Sequence, residues 1–89
     1  MEHGVITITT ADRLAFGRAV RELRARRGMS LSELGRATLV HEGYLAAVER
    51  ADVEPTLRTM VRIAGGLDVP LSVLVERYEA RRAAGAGGA

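Results

Sequence analysis

Arginine is the residue type with the most obvious chemistry in this 89-residue chain, because all thirteen of its basic residues are arginines. A guanidinium group can donate two parallel hydrogen bonds to a phosphate. Seven arginines lie within residues 13–36 against two glutamates, whereas residues 40–56 hold one arginine against four carboxylates. This uneven charge favours a phosphate-bearing partner on one face, although an arginine-only chain can equally reflect GC-rich coding.

Side chains that could catalyse a reaction or bind a metal are few. The chain has no cysteine, and His3 and His41 are its only histidines, neither with carboxylates at ligand spacing. Ser30 and Ser32 have no base beside them, which argues against nucleophilic catalysis. We therefore expect no enzymatic activity, no metal and no cofactor.

The elements that position these residues are short helices with an aliphatic core. A β-branched run, Val5–Thr10, predicts an extended arm, and Asp12 is placed to cap a first helix that ends at Gly28. Apolar spacing predicts four further helices after it. The expected fold is all-α: a compact five-helix domain over residues 12–82, with an N-terminal arm (1–11) and a disordered Ala/Gly tail (83–89).

The second and third predicted helices are joined by a tight turn. Ser30-Leu31-Ser32-Glu33 forms a capping box that starts the second helix, which runs to about Thr38, and the third helix spans about Glu42 to Glu49. Two short helices at a steep angle specify a helix-turn-helix. In such motifs the second helix enters the DNA major groove.

The ordered apolar and polar pattern over residues 14–76 resembles the phage-repressor and Cro-like (Xre-type) family of helix-turn-helix transcriptional regulators. The residues that carry this resemblance are Phe16-Gly17-Arg18-Ala19-Val20-Arg21-Glu22-Leu23-Arg24, Met29-Ser30, Glu33-Leu34, Tyr44-Leu45, Val48-Glu49-Arg50, Pro55-Thr56, Ile63-Ala64 and Leu67-Asp68-Val69-Pro70-Leu71. It implies a lambda-repressor-like fold and sequence-specific binding of double-stranded DNA, with repression the expected mode of regulation.

The resemblance also implies roles for individual residues. Arg24 and Glu49 match a family ion pair that holds the recognition helix against the scaffold. The amides at the start of the second helix can accept a phosphate, and the exposed residues of the third helix face the groove. The expected DNA contacts are Ser30, Leu31, Ser32, Arg36, His41, Glu42, Gly43, Tyr44, Ala47 and Arg50.

Several positions depart from the family pattern. Residues 40–49 contain no Arg, Lys, Gln or Asn, the side chains that usually read bases. Leu31 stands where the family prefers glutamine, and Leu39 and Ala51 replace glycines, so we expect a somewhat different turn geometry. The alternative function is an adaptor or antitoxin-like module that acts through protein contacts.

We expect a homodimer, because a domain this small without disulfides often gains stability by association. Its interface is expected either on the arm (Ile6, Ile8) or on the fifth helix, with family resemblance favouring the fifth helix through Leu71, Leu74, Val75 and Tyr78. The sequence has neither a signal peptide nor an apolar run long enough to cross a membrane, so a cytoplasmic location without membrane association is expected.

Overall fold

The computed structural model describes residues 7–87, with side chains up to residue 85, and this part of the chain contains five α-helices and no strand. The helices are α1 (Thr10–Arg26), α2 (Leu31–Thr38), α3 (Glu42–Glu49), α4 (Leu57–Gly66) and α5 (Leu71–Gly87). The all-α fold expected from the sequence is confirmed. The boundaries of α2 and α3 match the predicted ones.

Helix α1 begins earlier than the sequence suggested. Thr9, not Asp12, is the N-cap: its hydroxyl accepts a hydrogen bond from the Asp12 amide, and the Asp12 carboxylate accepts one from the Thr9 amide at 2.9 Å. Asp12 therefore serves as the third residue of a capping box. The predicted boundary of the arm at residue 11 is wrong for the same reason, since Thr10 and Ala11 are already helical.

All five helices contribute to a single aliphatic core. Helix α1 packs against α3 and α5, while α4 packs against α2 and α5. Buried residues from all five helices form one cluster, and the largest fully buried side chains are Val20, Leu34, Leu45, Val48, Ile63, Leu67 and Leu74. Because α2 and α3 each bury side chains in this core, their relative position is set by packing rather than by the turn alone.

Within residues 7–87, three residues other than glycine adopt the left-handed backbone conformation: Leu39 (φ 59°), Ala51 (φ 67°) and Asp68 (φ 58°). Leu39 and Ala51 occupy the positions where the family pattern has glycine. Both residues therefore have a backbone conformation that glycine adopts without steric cost. A non-glycine residue in this conformation costs about 1–2 kcal/mol.

Helix α4 ends in two consecutive glycines, Gly65 and Gly66. A Cβ on Gly66 would collide with the Thr38 side chain of α2, whereas a Cβ on Gly65 would meet nothing within 4 Å. The pair therefore contains one glycine that close helix packing requires and one that it does not.

Helix α5 continues to Gly87, past the predicted boundary at residue 82, so the expectation of a disordered tail is wrong for residues 83–87. Three of these five residues are alanines, which have the highest helix propensity. A helix already started by core contacts extends through alanines at little cost. None of the helices within residues 7–87 is both long and apolar enough to span a membrane.

Candidate nucleic-acid interface

The N-terminus of α2 is built by the predicted capping box. The Ser30 hydroxyl accepts a hydrogen bond from the Glu33 amide at 3.0 Å, and the Glu33 carboxylate accepts one from the Ser30 amide at 2.8 Å. Hydrogen bonding of the Glu33 carboxylate to the Ser30 amide and, less strongly, to the Ser30 side chain lowers the pKa of Glu33. The box leaves the amides of Leu31 and Ser32 at the positive end of the helix dipole, where they can receive a phosphate oxygen.

Arg36 lies one turn further along α2 and is exposed. Its Nη1 atom donates to the Ser32 hydroxyl at 3.0 Å. This contact holds one guanidinium nitrogen beside the start of the helix and leaves the others without a hydrogen bond within the described residues. Ser32 and Arg36, two of the predicted DNA contacts, therefore lie together on one face of α2.

The turn between α2 and α3 is stabilised by Thr38, a residue that the sequence reasoning missed. Its buried hydroxyl donates to the Leu34 carbonyl at 2.8 Å and accepts from the Val40 amide at 3.2 Å. Leu39, between them, has 83% of its surface exposed. A Thr just before the predicted turn was the available signal, since Thr hydroxyls bond readily to the backbone of the preceding turn.

Helix α3 has an inner face that is buried in the core and an outer face that is exposed. Leu45 and Val48 are fully buried, while His41, Glu42 and Gly43 are exposed. Tyr44, Ala46 and Ala47 are half-buried. The predicted groove residues thus lie together on the outer side of α3 and at its N-terminus.

His41 is the N-cap of α3, a role that the sequence reasoning did not assign to it. Its Nδ1 atom accepts a hydrogen bond from the Gly43 amide at 3.0 Å. The ring therefore satisfies one of the free amides at the start of α3 and lies at the end of the helix that the family inserts into DNA.

The predicted ion pair between Arg24 and Glu49 is present and is bidentate. Arg24 Nε and Nη2 donate to the two carboxylate oxygens of Glu49 at 2.7 Å and 2.9 Å, and Arg24 Nη1 donates to the Met29 carbonyl at 2.9 Å. The two side chains are only 18% and 8% exposed. The hydrogen bonds that Arg24 donates to Glu49 raise the pKa of Arg24. This contact joins the end of α1, the α1–α2 loop and the end of α3.

A close backbone approach supports the same junction. A Cβ on Gly17 of α1 would lie 2.6 Å from the Val48 carbonyl oxygen and 2.7 Å from the Glu49 carbonyl oxygen. These are backbone atoms at the C-terminal end of α3, which cannot move as a side chain can. Gly17 therefore lets α3 sit against α1, and the ion pair then fixes its end.

Arg50, the last predicted DNA contact, is exposed at the C-cap of α3. Its Nε atom donates to Asp52 at 2.9 Å, so the guanidinium is partly neutralised by its neighbour. Other exposed arginines lie on α1 and α4, and Arg58 and Arg62 make no ion pair within residues 7–85. The outer surface of α3 itself carries no basic side chain before Arg50.

The residues predicted for a dimer interface separate into four groups. Ile6 lies outside the described residues, and Leu74 is fully buried in the core, which makes its assignment to an interface wrong. Leu71 is half-buried against the core. Ile8, Val75 and Tyr78 line one apolar groove of about 360 Å³, here called the arm groove, together with Phe16, Pro55 and Met60.

Tyr78 also has a role within the domain. Its hydroxyl donates to Asp12 at 2.7 Å, and its ring lies 6.4 Å from that of Phe16. Asp12 accepts further hydrogen bonds from Thr9 and from Arg82.

Within the described residues, no group of His, Cys, Asp and Glu side chains could hold a metal ion.

Comparisons with known proteins agree with this geometry. Residues 20–74 match the family HTH_3, described as helix-turn-helix. The chain is 43% identical over 56 residues to the HTH-type transcriptional regulator SutR of Escherichia coli, an alignment that covers 63% of this chain and 32% of SutR. The chain therefore spans about a third of the length of that relative.

Two solved structures have the same architecture. The restriction-modification controller protein C.AhdI from Aeromonas hydrophila superposes with a TM-score of 0.70 at 31% identity, covering 72% of this chain and 97% of that one. The clp gene regulator ClgR from Corynebacterium glutamicum gives 0.82 at 28% identity, with coverages of 86% and 82%.

The resemblance found in the sequence is confirmed by these matches, and the proteins concerned are regulators rather than enzymes. The matched segment contains the ion pair, the capping box and the whole of α2 and α3. The chain belongs to the HTH_3 helix-turn-helix family.

Proposed function

We propose that this domain binds double-stranded DNA as a transcriptional repressor, with α3 in the major groove and the start of α2 on the phosphate backbone. The observation that carries the proposal is the construction of α3. Its inner face is buried and its C-terminal end is held by Arg24 and Gly17, while its N-terminal end and outer face remain exposed. A short, rigidly held helix with one free face fits a groove about 12 Å wide.

The outer face of α3 offers an unusual set of base contacts. Glu42 can accept a hydrogen bond from the N4 amino group of cytosine, and Ala47 can contact a thymine methyl group. Tyr44 can donate to a phosphate. Phosphate binding falls to the α2 amides and to Arg36 and Arg50, because α3 brings no other positive charge. We expect affinity to come from these flanking contacts and sequence preference from α3.

The salt dependence of duplex binding tests the function. Binding measured by fluorescence anisotropy should weaken steeply as salt rises, because each neutralised phosphate releases a counterion. Arg36→Ala should weaken all duplexes about equally and reduce the salt slope by about one unit. Glu42→Ala should instead change the ranking of duplexes, because Glu42 is the proposed contact to a base.

A protein partner that binds α3 through apolar contacts would not show this steep salt dependence. A flat salt response, or a Glu42→Lys variant with unchanged duplex affinity, would show that α3 does not lie in the groove and would favour the adaptor alternative.

Because the expected partner is genomic DNA, we expect the protein to act in the cytoplasm.

We also propose that the domain acts as a homodimer through the arm groove. The groove is mainly apolar, and Ile8 at its rim is 49% exposed in a single chain. Two domains related by a two-fold axis would present recognition helices about 34 Å apart to an inverted repeat. Burial of this groove would add apolar contact area to a core that is small for an unassisted domain.

A further inference from the structure

A second cavity lies on a different part of the domain, between α1 and the C-terminal part of α5. This notch has a volume of about 420 Å³. Its apolar lining comes from Ala11, Leu14 and Ala15 on one stripe of α1, and its polar lining comes from Arg18, Arg81 and Arg82. No residue of α2 or α3 contributes, so the notch does not belong to the DNA-binding surface.

The three guanidinium groups of the notch have hydrogen-bonding capacity to spare. Arg82 donates through Nε to Asp12 at 3.1 Å and has no partner for its terminal nitrogens within residues 7–85. Arg81 Nε is shielded from solvent without a hydrogen bond, at 3.5 Å from Glu22. Arg18 is exposed and makes no ion pair in this part of the chain. A buried donor without an acceptor is uncommon in a native protein and calls for a partner.

The nearby carboxylates do not cancel this positive charge. Asp12 is already bonded to Thr9, Tyr78 and Arg82, and Glu22 is shared between Arg77 and Arg81. A second copy of the same surface would bring like charges together and is therefore disfavoured here. The remaining lining is apolar, since Leu14 is 45% exposed beside two alanines. The notch thus combines terminal guanidinium nitrogens that have no hydrogen bond within residues 7–85 with a small apolar floor.

We propose that this notch binds a small amphipathic anion, a carboxylate with a short aliphatic body. The carboxylate would accept hydrogen bonds from the terminal guanidinium nitrogens of Arg18, Arg81 and Arg82, and the aliphatic body would cover Leu14. Arginine and carboxylate pair through parallel hydrogen bonds, and a volume near 420 Å³ falls within the range of small-molecule sites.

Octanoate is the probe for this site, with octan-1-ol and acetate as controls that lack the charge and the aliphatic body respectively. Titration calorimetry should show saturable one-to-one binding of octanoate and at least about tenfold weaker binding of either control. Backbone amide signals of Ala11, Ala15 and Gly85 should shift in NMR spectra. No DNA is present, so the result is independent of the proposed function.

Substitutions then locate the binding. Arg18→Gln should weaken octanoate binding, and Arg18→Gln combined with Arg81→Gln should weaken it about tenfold or more. The matched control is Arg58→Gln with Arg62→Gln, which removes the same charge from α4 and should leave binding unchanged. Thermal melting establishes that each variant is folded. Absence of saturable binding up to about 10 mM, or equal loss in the control variant, overturns the proposal.

Discussion

At the scale of single residues, Arg24 has the most connections that bear on the recognition helix. It satisfies both oxygens of Glu49 and one backbone carbonyl, and it does so where the two side chains are largely shielded from water. A shielded charge that loses its partner remains desolvated without compensation. An exposed pair such as Arg50 and Asp52 has water as a substitute and contributes little.

We therefore expect Arg24→Met or Glu49→Leu alone to lower the free energy of unfolding by about 2 kcal/mol or more. The double variant should cost less than the sum of the two, because neither charge is then left unpaired. Urea unfolding of the four proteins measures this. Arg50→Gln is the control and should change stability by no more than about 0.5 kcal/mol. Equal costs for Arg24→Met and Arg50→Gln would contradict the assigned role of Arg24.

At the scale of helices, the approach of α1 to α3 depends on the missing side chain of Gly17. Gly17→Ala would place a methyl group against two carbonyl oxygens, so the helices must separate. We expect a loss of about 1–3 kcal/mol in stability. Because separation of the two helices would also displace α3, duplex affinity should fall as well.

Gly65→Ala is the matched control for this change, since it adds the same methyl group to another helix in open space. Alanine has the higher helix propensity, so this variant should gain up to about 1 kcal/mol and keep its duplex affinity. A Gly17→Ala protein as stable as Gly65→Ala would show that α1 and α3 do not need this close approach.

The junction of α1 and α5 makes stability depend on pH through Asp12. Hydrogen bonds from the Thr9 amide, the Tyr78 hydroxyl and other donors hold the pKa of Asp12 well below its ordinary value of 3.8. A carboxyl group whose pKa is lower in the folded state stabilises the fold above its unfolded pKa. That contribution is lost as the pH falls through 3.8 towards the folded value.

Asp12→Asn should therefore be less stable than the parent protein at neutral pH, and the difference should shrink as the pH falls from about 5 to about 2. Tyr78→Phe removes one donor and should show a smaller effect of the same sign. Chemical unfolding at a series of pH values measures both. A difference between Asp12→Asn and the parent that stays constant over this range would show that the Asp12 contacts do not favour its charged form.

At the scale of the whole molecule, two exposed aliphatic residues near the start of α1, Ile8 and Leu14, line different cavities. Ile8 lines the arm groove, and Leu14 lines the notch beside α5. If the arm groove is the dimer interface, Ile8→Glu should yield monomers, because a charge buried in an apolar interface is unfavourable. Leu14→Glu should remain a dimer.

Sedimentation velocity separates these outcomes, and duplex binding reports their consequence. The Ile8→Glu monomer should bind an inverted repeat more weakly, since its two half-sites are no longer occupied together. A parent protein that is monomeric at all accessible concentrations, or two variants with the same assembly state, would contradict a dimer through this groove.

The sequence by itself determined the helices of the motif and the family. Helix starts such as Ser30 to Glu33 depend on residues three apart, so their interactions can be inferred from local order alone. The start of α1 was misplaced by the same local rule, because Thr9 and Asp12 are both good capping residues. The spacing of buried residues predicted the core faces of α2 and α3, since helical periodicity links position to face.

Only the tertiary structure decided which distant residues meet. Tyr78 reaches Asp12 across 66 positions of the chain, and Gly17 touches α3 through backbone atoms that carry no sequence signal. The left-handed conformation of Leu39 is likewise imposed by the packing of α2 against α3, against its own preference. These features arise from close packing of surfaces built by several helices, and local propensity contains no information about that packing.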